Sequence, residues 1–192
     1  MYERKFVERY ENYNNHLYEK QSLSRVWKHS QNGFFMMSSF RGQFSLEDNL
    51  KRHEQLKKSL KQKKLGFFEI DGTYKYDDGH TESELSLFVP FRSDIYSFEE
   101  FEKIALELGK KFNQESVLVK YPVDEGNEAV LLYSDSAKKD VIGTNVGYDK
   151  VSFAYSKLRK GSHKDRTFII EGFRIPNNHI DAYKLKLEGI QF

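Results

Sequence analysis

Cysteine is absent from all 192 residues, which removes disulfides, thiolate nucleophiles and Cys-ligated zinc together. No stretch reaches the roughly 18 consecutive apolar residues that a membrane-spanning helix needs. The opening segment, MYERKFVERYENYNNHLYEKQ, has no apolar centre of the kind a signal peptide carries. The chain therefore reads as cytoplasmic, without membrane contact. Charge of one sign is also scarce: 31 basic against 29 acidic residues leave a net charge of +2, so a case for nucleic acid has to rest on local clusters. The six histidines show no H-E-x-x-H spacing, no serine sits in a G-x-S-x-G elbow, and Arg41-Gly42-Gln43 is far too short for a phosphate loop. Zinc hydrolases, triad hydrolases and P-loop enzymes are disfavoured, and neither a metal nor another cofactor is expected.

Aromatic residues are plentiful, with 16 Phe and 12 Tyr, which predicts an aromatic core. A length of 192 residues suits a single domain. Tyr2, Phe6, Tyr10, Tyr13 and Leu17 fall on one helical face, so residues 1–32 read as an N-terminal helical extension. Gly33 to Phe40 reads as a buried strand. Ser45-Leu46-Glu47-Asp48 resembles a capping box, opening a helix with apolar positions Leu46, Leu50, Leu56 and Leu60 that ends near Gly66.

Phe67 to Ile70 and Glu82 to Phe91 read as strands separated by turn signals. Ser97-Phe98-Glu99-Glu100 is a second capping box, followed by Phe98, Phe101, Ile104, Ala105, Leu108 and Phe112 at helical spacing. Ser116 to Tyr121 and Ala129 to Tyr133 form a strand pair. The resulting β-α-β-β-α-β order with one further strand predicts an α+β fold, a ferredoxin-like split β-α-β sandwich over residues 33–133. Residues 134–192 are expected to pack on that core as a C-terminal extension, with Val141 to Gly147 reading as loop.

Four groups of residues can carry chemistry. Ser38, Ser39 and Arg41 end the first strand, and Asn49 and Arg52 follow on the helix; such a junction gathers donors for an anion, or serves as ordinary capping. Glu84 and Ser86 share one strand face, where a carboxylate serves as a base or merely as a solvated group. Gln114 and Ser116 mark a helix-to-strand junction whose simplest role is to cap. Lys157, Arg159, Lys160, Lys164 and Arg166 lie near Phe153 and Tyr155, a pattern suited to nucleic acid or to a plain solvated surface.

Ser38-Ser39-Phe40-Arg41-Gly42, Asn49 with Arg52, Gly66-Phe67-Phe68, Gly72-Thr73-Tyr74, Glu84-Leu85-Ser86, Gln114-Glu115-Ser116 and Ile142-Gly143-Thr144-Asn145 together resemble a family of uncharacterised bacteriophage and prophage proteins of the DUF3293 type. The resemblance implies a phage protein acting in the host cytoplasm or carried in the virion. With no catalytic signature in view, the leading expectation is a non-catalytic accessory protein that binds a host or phage macromolecule, plausibly to counter host defence. One alternative is a nucleic-acid-binding module, since an RNA-recognition fold has the same element order, although Glu84 to Val89 lacks its basic signature. Another is an enzyme or sensor for a small phosphorylated ligand held by Arg41, Arg52 and Glu84.

Overall fold

Burial in alternate residues organises the centre of the molecule, because successive strand side chains point to opposite sheet faces. The computed structural model describes residues 28–29, 31–75, 81–148, 154–158 and 167–171. Its elements are β1 (Phe34–Ser38), α1 (Leu46–Gln62), β2 (Phe68–Lys75), β3 (Thr81–Pro90), α2 (Phe98–Lys111), β4 (Ser116–Lys120), β5 (Ala129–Tyr133), β6 (Lys139–Gly143), β7 (Asn145–Tyr148), β8 (Ala154–Leu158) and β9 (Thr167–Glu171). Of the expected N-terminal helical extension, residues 28–29 and 31–32 are described and helical, and the rest falls outside the described residues.

The strands form one sheet in the order β6-β5-β4-β1-β3-β2-β8-β9-β7, with antiparallel pairing throughout. The architecture is thus mixed α/β, with two helices against a large antiparallel sheet. The segment Val141 to Gly147, expected to be loop, instead supplies most of β6 and β7. Its glycines and polar residues carry little β signal of their own, and pairing with β5 and β9 overrides that local preference.

Both helices begin at serine caps. The Ser45 side chain accepts from the Asp48 amide, while Ser97 and Glu100 form a reciprocal capping box. On α2 the buried stripe is Phe98, Phe101, Ile104, Ala105, Leu108 and Gly109, close to the pattern in the sequence. On α1 the expected stripe is displaced. Leu46 and Leu50 are exposed, at 69% and 45%, and the inward positions are Asn49, His53, Leu56, Ser59 and Leu60. Asn49 occupies the first inward position because it has backbone partners to hold, as described below.

One sheet face packs beneath the helices: Phe35, Met37, Leu87, Val89, Val117, Val119, Val130 and Leu132 join Leu56, Leu60, Phe101 and Leu108. The other face carries a second cluster of Phe34, Phe68, Ile70, Phe88, Ala129 and Ile142, flanked by Met36, Leu118 and Leu131. The rings of Phe34 and Phe88 stack at 4.3 Å. Neither α1 nor α2 covers this second face; residues 28–29 and 31–32 are helical, and the His29 ring lies 5.9 Å from that of Phe68. The sheet also rolls over it: its terminal strands, β6 and β7, are separated in sequence only by Thr144. Two Cα steps of about 3.8 Å each cannot bridge an open nine-stranded sheet whose strands lie about 4.8 Å apart, and β6 does touch β9. Ile142, on an edge strand, accordingly joins the cluster built on Phe34 and Phe88.

Candidate functional site

Strand registration lays out a row of side chains on the rolled face. Tyr133 on β5 lies opposite Ser116 on β4, Ser38 on β1 opposite Ser86 on β3, and Ser86 opposite Ile70 on β2. β1 and β4 pair through Met36 opposite Leu118, so continuing that register sets Ser116 beside Ser38. Two residues along β3, Glu84 lies opposite Gly72, which in turn lies opposite Ser156 on β8. The rolled face is therefore divided. One half is apolar, built on Phe34, Met36, Phe68 and Phe88; the other is a floor of small residues, Ser38, Ser86, Gly72 and Ser156, with Glu84 exposed at its rim.

The serines of this floor are buried. A Cβ added at Gly72 would come no nearer than 3.7 Å to the Glu84 carbonyl and the Ser86 hydroxyl, so among the described residues no bulky side chain lies against it. Ser38 is fixed in place: its hydroxyl donates to the Leu85 carbonyl at 2.9 Å and accepts from the Phe40 amide at 3.0 Å. At the β5 end, the Tyr133 hydroxyl donates to Asp140 at 2.8 Å, and Lys138 pairs with the same carboxylate at 2.9 Å. Burial, reinforced by Asp140, pushes the Tyr133 phenol far above its ordinary pKa, so it stays a neutral donor.

On the helix side of β1, the side chains of Asn49, Arg52 and Gln114 hold backbone. Asn49 accepts from the Arg41 amide at 2.9 Å through Oδ1 and donates to the Arg41 carbonyl at 3.0 Å through Nδ2. Arg52 donates to the carbonyls of Ser39 and Phe112, its guanidinium lying 4.7 Å from the Phe44 ring centroid. Gln114 donates to the carbonyls of Phe40 and Phe112. Ser39 is fully buried and its hydroxyl has no hydrogen-bond partner. These contacts spend the side chains of Asn49, Arg52 and Gln114 on fixing the connection from β1 to α1. Of the group, Arg41 keeps its guanidinium without a hydrogen bond or ion pair among the described residues.

The sequence-derived residues thus divide between two faces of one sheet end. Ser86, Glu84 and Ser116 belong to the rolled face, while Ser39, Asn49, Arg52 and Gln114 stand on the other side. Lys157 is half-buried on β8, and Arg159, Lys160, Lys164 and Arg166 fall outside the described residues. Sequence reasoning missed Gly72, Ser156, Tyr133 and Asp140 as neighbours of this floor. Their period-two placement marks a face, but only the pairing register identifies which residues meet across it.

Two buried cations or near-cations lie away from the floor. His53 is pushed down to about 4, chiefly by burial and then by Lys57, with Glu69 and Glu54 opposing. Lys120 is pushed down to about 8 by burial, although its ammonium donates to the carbonyls of Tyr121 and Asn127 and to the Asn127 side chain. It closes the turn between β4 and β5. Among the described residues, no three His, Cys, Asp or Glu side chains group as a metal site, and no helix is long and apolar enough to cross a membrane.

Residues 35–171, which span every strand of the sheet from β1 to β9, match the model of the S-adenosylmethionine lyase family. The chain belongs to that family. No curated protein matches it. Among solved structures, a phage S-adenosylmethionine lyase in complex with S-methyl-5'-thioadenosine shares 18% identity, over 57% of this chain and 87% of that one, with a TM-score of 0.30.

Membership of the S-adenosylmethionine lyase family corrects the DUF3293-type resemblance and the expectation of a non-catalytic accessory protein that binds a macromolecule. The nucleic-acid module and the sensor of a phosphorylated ligand fall with it. The motifs behind the resemblance are largely strand ends and turns, such as Ser38 to Gly42 and Ile142 to Asn145, which serve the fold. The missing nucleophile and metal motifs were misleading for a chemical reason. A sulfonium is already an activated leaving group, so its cleavage needs neither.

Proposed function

We propose that this chain cleaves S-adenosylmethionine without adding water, with the substrate lying along the floor between Glu84 and the apolar half of the rolled face. The observation that carries the proposal is the family match, which runs through all the strands that build that floor. Consuming the methyl donor in an infected cell would counter host restriction that depends on it. The site of action we infer is the cytoplasm, in one domain formed by residues 1–192. A ferredoxin-like core is supported by the order β4-β1-β3-β2, with α1 and α2 as the crossing elements.

The chemistry sets requirements on the site. When a carbon–sulfur bond breaks, the electron pair goes to sulfur and the sulfonium loses its charge. The carbon left behind must be satisfied by an internal oxygen or by loss of a proton from its neighbour. The S-methyl group offers neither route, so the break falls on a longer arm. A carboxylate held against the sulfur would stabilise the ground state more than the transition state. Apolar surroundings that keep water away act in the opposite sense. The substrate ammonium keeps its charge throughout, so a carboxylate there binds without that penalty.

The floor has the corresponding polarity, with Glu84 at one end and Phe34, Met36 and Phe88 at the other. Glu84 is assigned the ammonium, and the aromatic half the sulfonium and adenosine. The Glu84→Gln variant is predicted to lose roughly 10- to 100-fold in kcat/KM for S-adenosylmethionine, mainly through KM. Cleavage at the wild-type rate and KM in that variant would remove Glu84 from the site.

A further inference from the structure

Arg41 combines a tightly held backbone with an uncommitted charge. Both its amide and its carbonyl are bonded by the one side chain of Asn49, at 2.9 and 3.0 Å. Asn49 is itself buried and donates as well to the Phe44 carbonyl at 3.3 Å. Arg52 and Gln114 hold the carbonyls of Ser39 and Phe40, the two residues before it. Three consecutive residues of the connection are thus fixed, and the Ser38 hydroxyl adds a further bond to the Phe40 amide. Their fixing is far more than a surface loop requires. Its consequence is to place a half-exposed arginine whose guanidinium has no partner among the described residues.

The register gives the place. The pairing of β1 with β3 runs from Phe34 opposite Pro90 to Ser38 opposite Ser86. The pairing stops there, and Glu84, two residues before Ser86 on β3, and Arg41, three residues after Ser38, both lie beyond that same end of the β1–β3 pair. The amino-acid end of S-adenosylmethionine presents an ammonium and a carboxylate on a single carbon. An arginine fork and a carboxylate at the same sheet end match that pair of opposite charges, and a guanidinium suits a carboxylate in a two-bond geometry.

We propose that Arg41 is the anchor for the substrate carboxylate, a specificity-determining contact held ready by Asn49. This inference rests on the lyase reading above. Arg41 would make the site select ligands that carry a free α-carboxylate, and Asn49 acts as a positioning residue through the Arg41 backbone.

Binding separates this role from turnover. S-adenosylhomocysteine keeps the ammonium and carboxylate but lacks the sulfonium; methylthioadenosine lacks the whole amino-acid half. Calorimetric titration of the Arg41→Ala variant is predicted to show roughly 10- to 100-fold weaker binding of S-adenosylhomocysteine, with methylthioadenosine affinity and thermal stability unchanged. Arg41→Lys should recover part of the loss. Asn49→Asp, which removes the donor to the Arg41 carbonyl, should reduce the same preference. Equal weakening of both ligands, or no weakening of either, would overturn the assignment. Wild-type cleavage of S-adenosylmethionine, measured alongside, tests the parent reading separately: an active enzyme whose ligand preference ignores Arg41 refutes only the anchor. An inactive wild type that binds neither probe refutes both.

Discussion

His53 shows how a side chain that reads as an unremarkable helix residue becomes a determinant of stability. It is buried between α1 and the sheet, its ring edge-on to Phe40, and neither ring nitrogen has a hydrogen-bond partner. Lys57, Glu54 and Glu69 face it, with Glu69 bridged to Lys57 and 3.7 Å from the imidazole. Its pKa in the fold, about 4, lies below the ordinary 6.5. The unfolded chain therefore binds the proton more readily, and protonation favours unfolding. This contribution to stability is complete above pH 6.5 and is lost as the pH falls through 4. Urea titrations of the wild type and His53→Leu at pH 7 and pH 4.5 are predicted to show a smaller loss on acidification in the variant. An identical loss in both would mean that the ring is charged in the fold. Nothing in the sequence marked His53, because its inward placement follows from the displaced face of α1.

At the level of elements, the strong local signals were legible and the weak ones were not. The two serine caps, the buried stripe of α2, and the strands around Phe34 to Ser38 and Leu85 to Val89 all rest on residues within a few positions of each other. Strands β6 and β7 draw their definition from distant partners, and Val141 to Gly147 carries little information of its own. The packing of α2 contains one position where a helical preference and a packing demand collide. A Cβ on Gly109 would lie 2.5 Å from the Ser134 hydroxyl and 2.8 Å from a Val117 methyl. Gly109→Ala gains about 1 kcal/mol of helix propensity, against about 1–3 kcal/mol of overpacking. The variant is predicted to be less stable by up to about 2 kcal/mol in chemical denaturation, the overpacking outweighing the propensity. A more stable variant would show that α2 stands off from β4 and β5 by more than the structure indicates.

For the whole molecule, the decisive feature is the roll of the sheet. It turns the face opposite α1 and α2 into a lined surface, apolar at one end and small and polar at the other. The sequence carried the alternation that builds both faces, and it carried Glu84 and Ser86. It did not carry the register that sets Ser38 beside Ser86 and Gly72 beside Glu84. Nor did it announce catalysis, since sulfonium cleavage leaves no nucleophile or metal motif to find.

The measurement that bears most directly on this account is the incubation of purified protein with S-adenosylmethionine in ¹⁸O-labelled water, with the earliest products followed by mass spectrometry. The account predicts a neutral adenosine-bearing thioether and a complementary fragment, neither carrying solvent oxygen when first formed. Immediate incorporation of ¹⁸O would indicate a hydrolase, and substrate left intact would contradict the lyase assignment altogether.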